Sequence, residues 1–229
     1  MRFLLIIPAY NEEKNIPKVA EDIGELIKDA VVINDGSTDN TRDVARKSGF
    51  AVIDHPYNIG VGGAVQTGLK YASTKGYEIA VQFDGDFQHR ADQIENILKP
   101  VLADEADLVI GSRVLAGDYR FPFFRRIGSR WFSLLLSLLY GVKITDPTSG
   151  FRCYGKKAIE FFSINYPEDY PEVESIIYAL KAGLRVVEVP ALMRPRTSGR
   201  SSIGFFQSFY YMLKVTTGVI LSSLRRFRR

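Results

Sequence analysis

The chain contains one cysteine (Cys153), one tryptophan (Trp131) and two histidines (His55 and His89). A single cysteine excludes an intramolecular disulfide framework, so nothing requires an oxidising compartment, and Cys153 reads as a packing residue. The histidines lie too far apart in sequence to suggest a metal pair and read as loop residues. No internal repeat or low-complexity linker occurs. The apolar opening Phe3–Ile7 is too brief for a secretory signal, and no small-residue cleavage site follows it. Acid is missing from the last part of the chain: residues 194–229 hold eight Lys or Arg and no Asp or Glu, leaving 22 basic against 26 acidic residues before them. A mildly acidic body with a basic tail points to an anionic partner, membrane lipid or nucleic acid.

Uninterrupted apolar runs of membrane-spanning length are also lacking. Trp131–Tyr140 falls well short of the ~20 residues a span requires, and it reads either as a buried core helix or as a helix lying in a membrane interface. Ile203–Leu224 has the length, but Gln207 and Lys214 interrupt it and Arg225-Arg226-Phe227-Arg228-Arg229 follows. A mid-segment lysine is costly at the bilayer centre. The favoured reading is therefore an amphipathic interfacial tail over 203–229, anchored by basic residues worth about 1 kcal/mol each near an anionic surface. A single C-terminal span is the alternative.

What is present fits one sizeable α/β domain over 1–202. The chain has 229 residues, 46% of them hydrophobic and 24% charged, the balance of a folded globular protein. Short β-branched or aliphatic runs alternate with amphipathic stretches, the pattern of a mostly parallel sheet covered by helices. Strands are expected near 3–7, 31–34, 50–53, 78–83 and 107–110. Helices are expected near 13–28, 39–48, 61–75 and 91–103, the second announced by Ser37-Thr38-Asp39 acting as caps.

In Val81-Gln82-Phe83-Asp84-Gly85-Asp86-Phe87-Gln88-His89 an apolar strand stops at two carboxylates one residue apart. In open α/β sheets ligands bind beyond the carboxyl ends of strands. Alternate carboxylates in a turn can approach one hard cation, Mg²⁺ or Mn²⁺, with the Gln88 amide oxygen as a neutral ligand, leaving positions open for diphosphate oxygens. Alone, Asp-Gly-Asp is also an ordinary turn. Two more strands end in polar and aromatic groups, at Pro8-Ala9-Tyr10-Asn11-Glu12 and at Asn34-Asp35-Gly36-Ser37. Asp35 and Glu12 precede their helices as acceptors for a base or ribose, and Tyr10 offers a stacking face.

These pieces resemble the nucleotide-sugar transferases of the GT-A fold, glycosyltransferase family 2, and within them the dolichyl- or polyprenyl-phosphate sugar synthases. Asn58-Ile59-Gly60-Val61-Gly62-Gly63-Ala64, Gly111-Ser112-Arg113 and Asp146-Pro147-Thr148-Ser149-Gly150-Phe151-Arg152 complete the pattern, in family order over about 3–200. The resemblance implies that Pro8, Tyr10, Glu12 and Asp35 line the nucleotide site, that Asp84 touches the donor, and that Asp86 and Gln88 hold the metal. Asp84, Asp86 and Arg113 form the implied catalytic set. Arg113 and Arg126, with Ser129 in Arg126-Ile127-Gly128-Ser129, match positions that grip an acceptor phosphate, and Arg196 lies in a loop that approaches the donor diphosphate. That loop departs from the family, which often ends it in Ser-Lys; here Ser201-Ser202 stands, with Arg200 as a substitute cation. Glu172 and Glu174 open a helix where the dipole favours acid, and the resemblance places an acidic residue such as Glu174 near the site.

A lipid phosphate is anionic at neutral pH and needs cations rather than a general base, which matches the arginines after Ser112. Other classes fit less well. Gly60-Val61-Gly62-Gly63-Ala64-Val65 lacks the third small residue of a dinucleotide fingerprint and does not follow the first strand. The tail's aromatics come with Leu, Ile and Val in a helical stretch, unlike the spaced stacking residues of a nucleic-acid groove. The expected protein is a metal-dependent inverting transferase on the cytoplasmic face of a membrane. It would use a UDP- or GDP-sugar and a polyprenyl phosphate, with an accessory membrane subunit as a further partner. A glycan acceptor, or a non-enzymatic scaffold, is the alternative.

Overall fold

The computed structural model describes residues 3–117, 123–167, 170–195, 214 and 216–218. The strands are β1 (Phe3–Ala9), β2 (Ala30–Asn34), β3 (Ala51–Asp54), β4 (Ile79–Gln82), β5 (Leu108–Ser112), β6 (Arg152–Gly155) and β7 (Val186–Pro190). They form one sheet in the order β3-β2-β1-β4-β6-β5-β7. β6 runs antiparallel to both β4 and β5, whereas the other pairings are parallel.

Every residue of β1 after Phe3 is buried, as expected of a central parallel strand covered on both faces. The pleat divides them: Leu5 and Ile7 join one apolar cluster with α1 (Ile16–Ile23), while Leu4 and Ile6 join another with α3 (Gly60–Thr74). α2 (Thr41–Lys47) flanks the β3 edge, α4 (Ile94–Leu102) covers the first face, and α7 (Lys156–Ile164) packs beside α3. α5 (Arg113–Ala116) is one turn after β5. A third cluster joins Phe132 and Leu136 of α6 (Phe123–Tyr140) to Val173, Ile176 and Ile177 of α8 (Pro171–Lys181).

The five expected strands and four expected helices are present, with two differences. The first helix ends at Ile23, because Gly24 takes a positive φ of 52° and the chain continues as a 3₁₀ turn to Asp29. Ser37 and Thr38 do not cap α2; Ser37 Oγ accepts the Asn11 N–H and the Thr38 N–H donates to Asn11 Oδ1, so they tie the loops after β1 and β2 together. Asp39 takes the capping role by accepting the Thr41 N–H at 2.9 Å.

α6 combines the two readings of its apolar stretch. Phe132 and Leu136 are core, but Ile127, Trp131, Leu134 and Leu138, which fall on one side of the helix, are exposed, Leu138 by 73%. Among the described residues no helix is long and apolar enough to cross a membrane. Arg196, Arg200, the 202/203 boundary and all of the tail except 214 and 216–218 lie outside the described residues. Those four tail positions are helical, and Thr216 Oγ1 accepts the Trp131 indole N–H at 3.0 Å.

Candidate active site

Chain direction reverses across the sheet between β1, which leads outward to β2 and β3, and β4, on its other side. Such a switch point opens a crevice at the carboxyl ends of the strands. A cavity of about 310 Å³ occupies it, lined by Pro8, Tyr10, Glu12, Asp35, Asn58, Gly60, Val61, Asp84, Gly85 and Asp86 among others. Six of the expected site residues, Asp86 among them and scattered over three strand ends, thus meet in one cleft.

The floor is an extension of β4. The Phe83 and Gly85 N–H groups donate to the Ile6 and Pro8 carbonyls of β1. A Cβ on Gly85 would lie 3.0 Å from Pro8 O and 3.2 Å from Ala9 Cβ, so a side chain there would lift the turn from β1. Asp84 Oδ1 accepts from Gln82 Nε2 at 3.0 Å, and the Asp84 N–H donates to His89 Nδ1 at 2.9 Å. An accepting Nδ1 makes His89 a neutral imidazole with its proton on Nε2, which lies 3.6 Å from Asp84 Oδ2. His89 is no mere loop residue: it is buried between Phe83 and Phe151, and burial pushes its pKa down to about 4. Burial pushes the Asp84 carboxyl up, opposed by the Gln82 hydrogen bond and by the charges of Arg113 and Arg152. Asp86 Oδ1 accepts the Gln88 N–H at 3.0 Å.

Asp35 is buried and already engaged. Its Oδ1 meets His55 Nδ1 at 2.8 Å and the Ile59 N–H at 3.0 Å, and its Oδ2 accepts the Gly60 N–H at 2.9 Å. It thereby fixes the glycine-rich turn that opens α3, whose first residues wall the cleft. Gly36 has φ +66°, and a Cβ would lie 2.5 Å from the backbone of Tyr57 and Asn58, so this turn packs against the 57–60 loop as only glycine can. Tyr10 is 46% exposed, presenting its ring to the cleft mouth.

A second cavity, about 370 Å³, is lined by Arg113, Val114, Gly117, Arg126, Ser129, Arg130, Ser133 and Thr145. It contains three arginines and no carboxylate, so it suits an anion. The expected trio Arg113, Arg126 and Ser129 lies here, and Arg130, Ser133 and Thr145 are added by the structure. Arg113 is buried and held at both ends of its fork: Nε donates to Asp146 Oδ2 at 2.7 Å, and Nη2 to Asp146 Oδ1 at 2.9 Å and Thr148 Oγ1 at 3.1 Å. Glu188 of β7 in turn accepts the N–H groups of Thr145 and Asp146. Asp146 and Thr148 belong to the Asp146–Arg152 run, whose local pattern does not reveal their contact with Arg113. Glu188 carried no signal beyond a lone acid in Val186-Val187-Glu188-Val189.

Arg152 is a fully buried cation. It bonds the Ser149 and Pro147 carbonyls and Ser175 Oγ, and among the described residues no carboxylate lies within 4 Å of it. Its charge acts on the Asp84 and Glu172 carboxyls, and burial raises the Glu172 carboxyl while Arg152 pulls it back. Glu172 therefore faces the site electrostatically. Glu174 is buried with its carboxylate toward Gly218 of the tail.

A strand-end cleft floored by alternate carboxylates, beside a cationic cavity, on a mostly parallel sheet with one inverted strand, defines an α/β transferase of the GT-A type. The solved structure of glucosyl-3-phosphoglycerate synthase from Mycobacterium tuberculosis, in complex with Mn²⁺ and UDP-glucose, shares this fold with a TM-score of 0.75 at 22% identity, over 97% of this chain and 78% of that one. The family model described as Glycosyl transferase family 2 matches residues 4–162, and the chain belongs to that family: it is a glycosyltransferase. Similar relatives include a UDP-N-acetylglucosamine–dolichyl-phosphate N-acetylglucosaminyltransferase of Methanococcus voltae, 34% identical over 95% of this chain and 97% of that protein. An undecaprenyl-phosphate mannosyltransferase of Micrococcus luteus is 31% identical over 89% and 88%.

Proposed function

We propose that this glycosyltransferase moves a sugar from a UDP- or GDP-sugar onto a polyprenyl or dolichyl phosphate, with inversion at the anomeric carbon. The observation that carries the reading is the adjacency of the two cavities: Asp84 borders the nucleotide cleft, Arg113 borders the cationic one, and the Arg113 charge acts on the Asp84 carboxyl. Relatives named for dolichyl- and undecaprenyl-phosphate transfer support the same acceptor class.

The ligand set at Asp86 and Gln88, beside Asp84, is all oxygen. Among the described residues no cluster of three His, Cys, Asp or Glu side chains forms a closed metal site. A set this sparse suits Mg²⁺ or Mn²⁺, which bind through one or two carboxylates and complete their shell with substrate phosphates. Bound there, the cation supplies Lewis-acid stabilisation to the departing diphosphate. Asp86 and Gln88 hold it, and Pro8, Tyr10, Glu12 and Asp35 frame the nucleotide. Arg113, Arg126 and Ser129 orient the acceptor phosphate, one oxygen of which forms the new bond to the anomeric carbon as the carbon–oxygen bond to the diphosphate breaks. No proton need leave the phosphate nucleophile, so no general base is required. Arg196 and Arg200 are assigned to the diphosphate from their sequence positions.

The exposed stripe Ile127, Trp131, Leu134 and Leu138, flanked by Arg126 and Arg130, supports peripheral contact with an anionic leaflet, with the basic tail beyond residue 203 adding to it. We assign this contact to the cytoplasmic face, and an accessory membrane subunit would meet the same surface. The test is transfer of label from a panel of UDP- and GDP-sugars to short-chain polyprenyl phosphate with Mn²⁺ or Mg²⁺. Label in the organic phase, abolished by chelator, is expected. Nucleotide binding without lipid product would move the acceptor to a glycan or protein.

A further inference from the structure

Arg194 lies outside both cavities, yet it makes more contacts to the Asp84–His89 turn than any bland surface charge needs. Its backbone N–H donates to the Gln88 carbonyl at 2.8 Å. Its guanidinium bonds Asp22 of α1 through both terminal nitrogens, at 2.5 and 3.2 Å, and donates to the His89 carbonyl at 2.5 Å. The same guanidinium lies 4.1 Å from the centre of the Phe87 ring. Asp22 Oδ2 also accepts the Ala91 N–H, so the pair reaches both sides of the turn.

The turn needs such support. Phe87 has φ +66°, a left-handed conformation that a bulky side chain rarely adopts and that persists only when its surroundings hold it. The Gln88 peptide is fixed from two directions, its N–H on Asp86 Oδ1 and its carbonyl on the Arg194 N–H. Release of the clamp would let Phe87 return to a right-handed or extended conformation, turning Asp86 and Gln88, the residues on either side of it, relative to one another.

We propose that Arg194 is a positioning residue for the cation: with Asp22 and Phe87 it holds the Asp86–Gln88 turn in the form that presents both ligands together. This rests on the reading of Asp86 and Gln88 as metal ligands given above. Residues that orient metal ligands from behind commonly change metal affinity by about 10- to 100-fold when lost. Arg194→Met keeps an apolar stem over Phe87 and removes the ion pair.

The experiment measures Mn²⁺ affinity by electron paramagnetic resonance with saturating UDP or GDP, and separately measures affinity for the same nucleotide in EDTA. Arg194→Met is expected to raise the Mn²⁺ dissociation constant by about tenfold or more, with nucleotide affinity in EDTA unchanged. Arg194→Lys should recover part of the loss through Asp22. Asp22→Asn should show a partial loss, and Asp22→Asn with Arg194→Met should be no worse than Arg194→Met alone, as two members of one unit. If Arg194→Met does not fold, Arg194→Lys and Asp22→Asn carry the comparison. Mn²⁺ affinity equal to wild type in the variants, or a matching fall in nucleotide affinity in EDTA, overturns the proposal while leaving the metal reading intact. Wild-type protein that binds no Mn²⁺ with either nucleotide overturns both.

Discussion

Replacing Asp146 by Asn tests how the cationic cavity is built. Asp146 is fully buried and Arg113 nearly so. The carboxylate accepts Nε and Nη2 of Arg113, the Arg113 N–H at 3.1 Å and the Thr148 hydroxyl at 3.2 Å. An asparagine keeps one acceptor but turns an NH₂ group toward a guanidinium that has only donors, and removes the carboxylate charge that both arms of the fork hold. Breaking a buried pair from one side costs about 3–5 kcal/mol. Urea denaturation at pH 7.5 should show a loss of that size for Asp146→Asn, and a much smaller loss for Arg113→Met with Asp146→Asn, because the double variant removes the buried guanidinium together with its carboxylate. A single-variant loss below about 1 kcal/mol would show that solvent screens the pair, and would refute the argument that Asp146 holds Arg113 at the cavity wall.

Asp86→Asn should abolish Mn²⁺ binding in the presence of nucleotide while leaving the thermal midpoint near wild type; retained Mn²⁺ affinity removes Asp86 from the metal. Gly150→Ala puts a Cβ 2.8 Å from Asp84 Oδ2 and 3.2 Å from Gln82 Nε2, so donor turnover should fall by more than about tenfold, since a misplacement near 1 Å in an active site can cost 10²-fold. Wild-type turnover in this variant would show that Asp84 need not stay where it lies. Glu172→Gln should stabilise the protein at neutral pH. Its folded carboxyl has a raised pKa, so the wild type is penalised once pH exceeds that value and both states ionise; the advantage of Gln should vanish as pH falls below the ordinary glutamate range. Stability curves that stay parallel across that range would contradict the assigned burial effect.

The parts of this fold that the sequence displays are those written in local pattern. β1 and β2 are unbroken apolar runs that stop at Pro8 and at Asn34-Asp35-Gly36, and β4 is one interrupted only by Gln82 before Asp84-Gly85-Asp86, so both strand and cleft could be read along the chain. β6 could not. It starts with a charged residue, Arg152, and ends with glycine, and its place between β4 and β5 is set by partners far away in sequence. The same holds for the chemistry. Asp84 and Asp86 announce themselves by spacing, whereas the Arg113–Asp146 fork joins residues 33 apart and the Arg194–Asp22 pair residues 172 apart. His89 misled for a related reason: a lone histidine after a turn carries no local mark of the ring cage formed by Phe83 and Phe151.

The inverted strand has one more consequence. The short run from Thr145 to Arg152 supplies the carboxylate behind Arg113 at one end and the glycine pressed against Asp84 at the other. The brace behind Arg113 and the brace against Asp84 are therefore cut from the same piece of chain. Anyone recombining this enzyme with a relative should place both crossover points outside that run, because a junction within it would pair one parent's support for Asp84 with the other's support for Arg113 out of register.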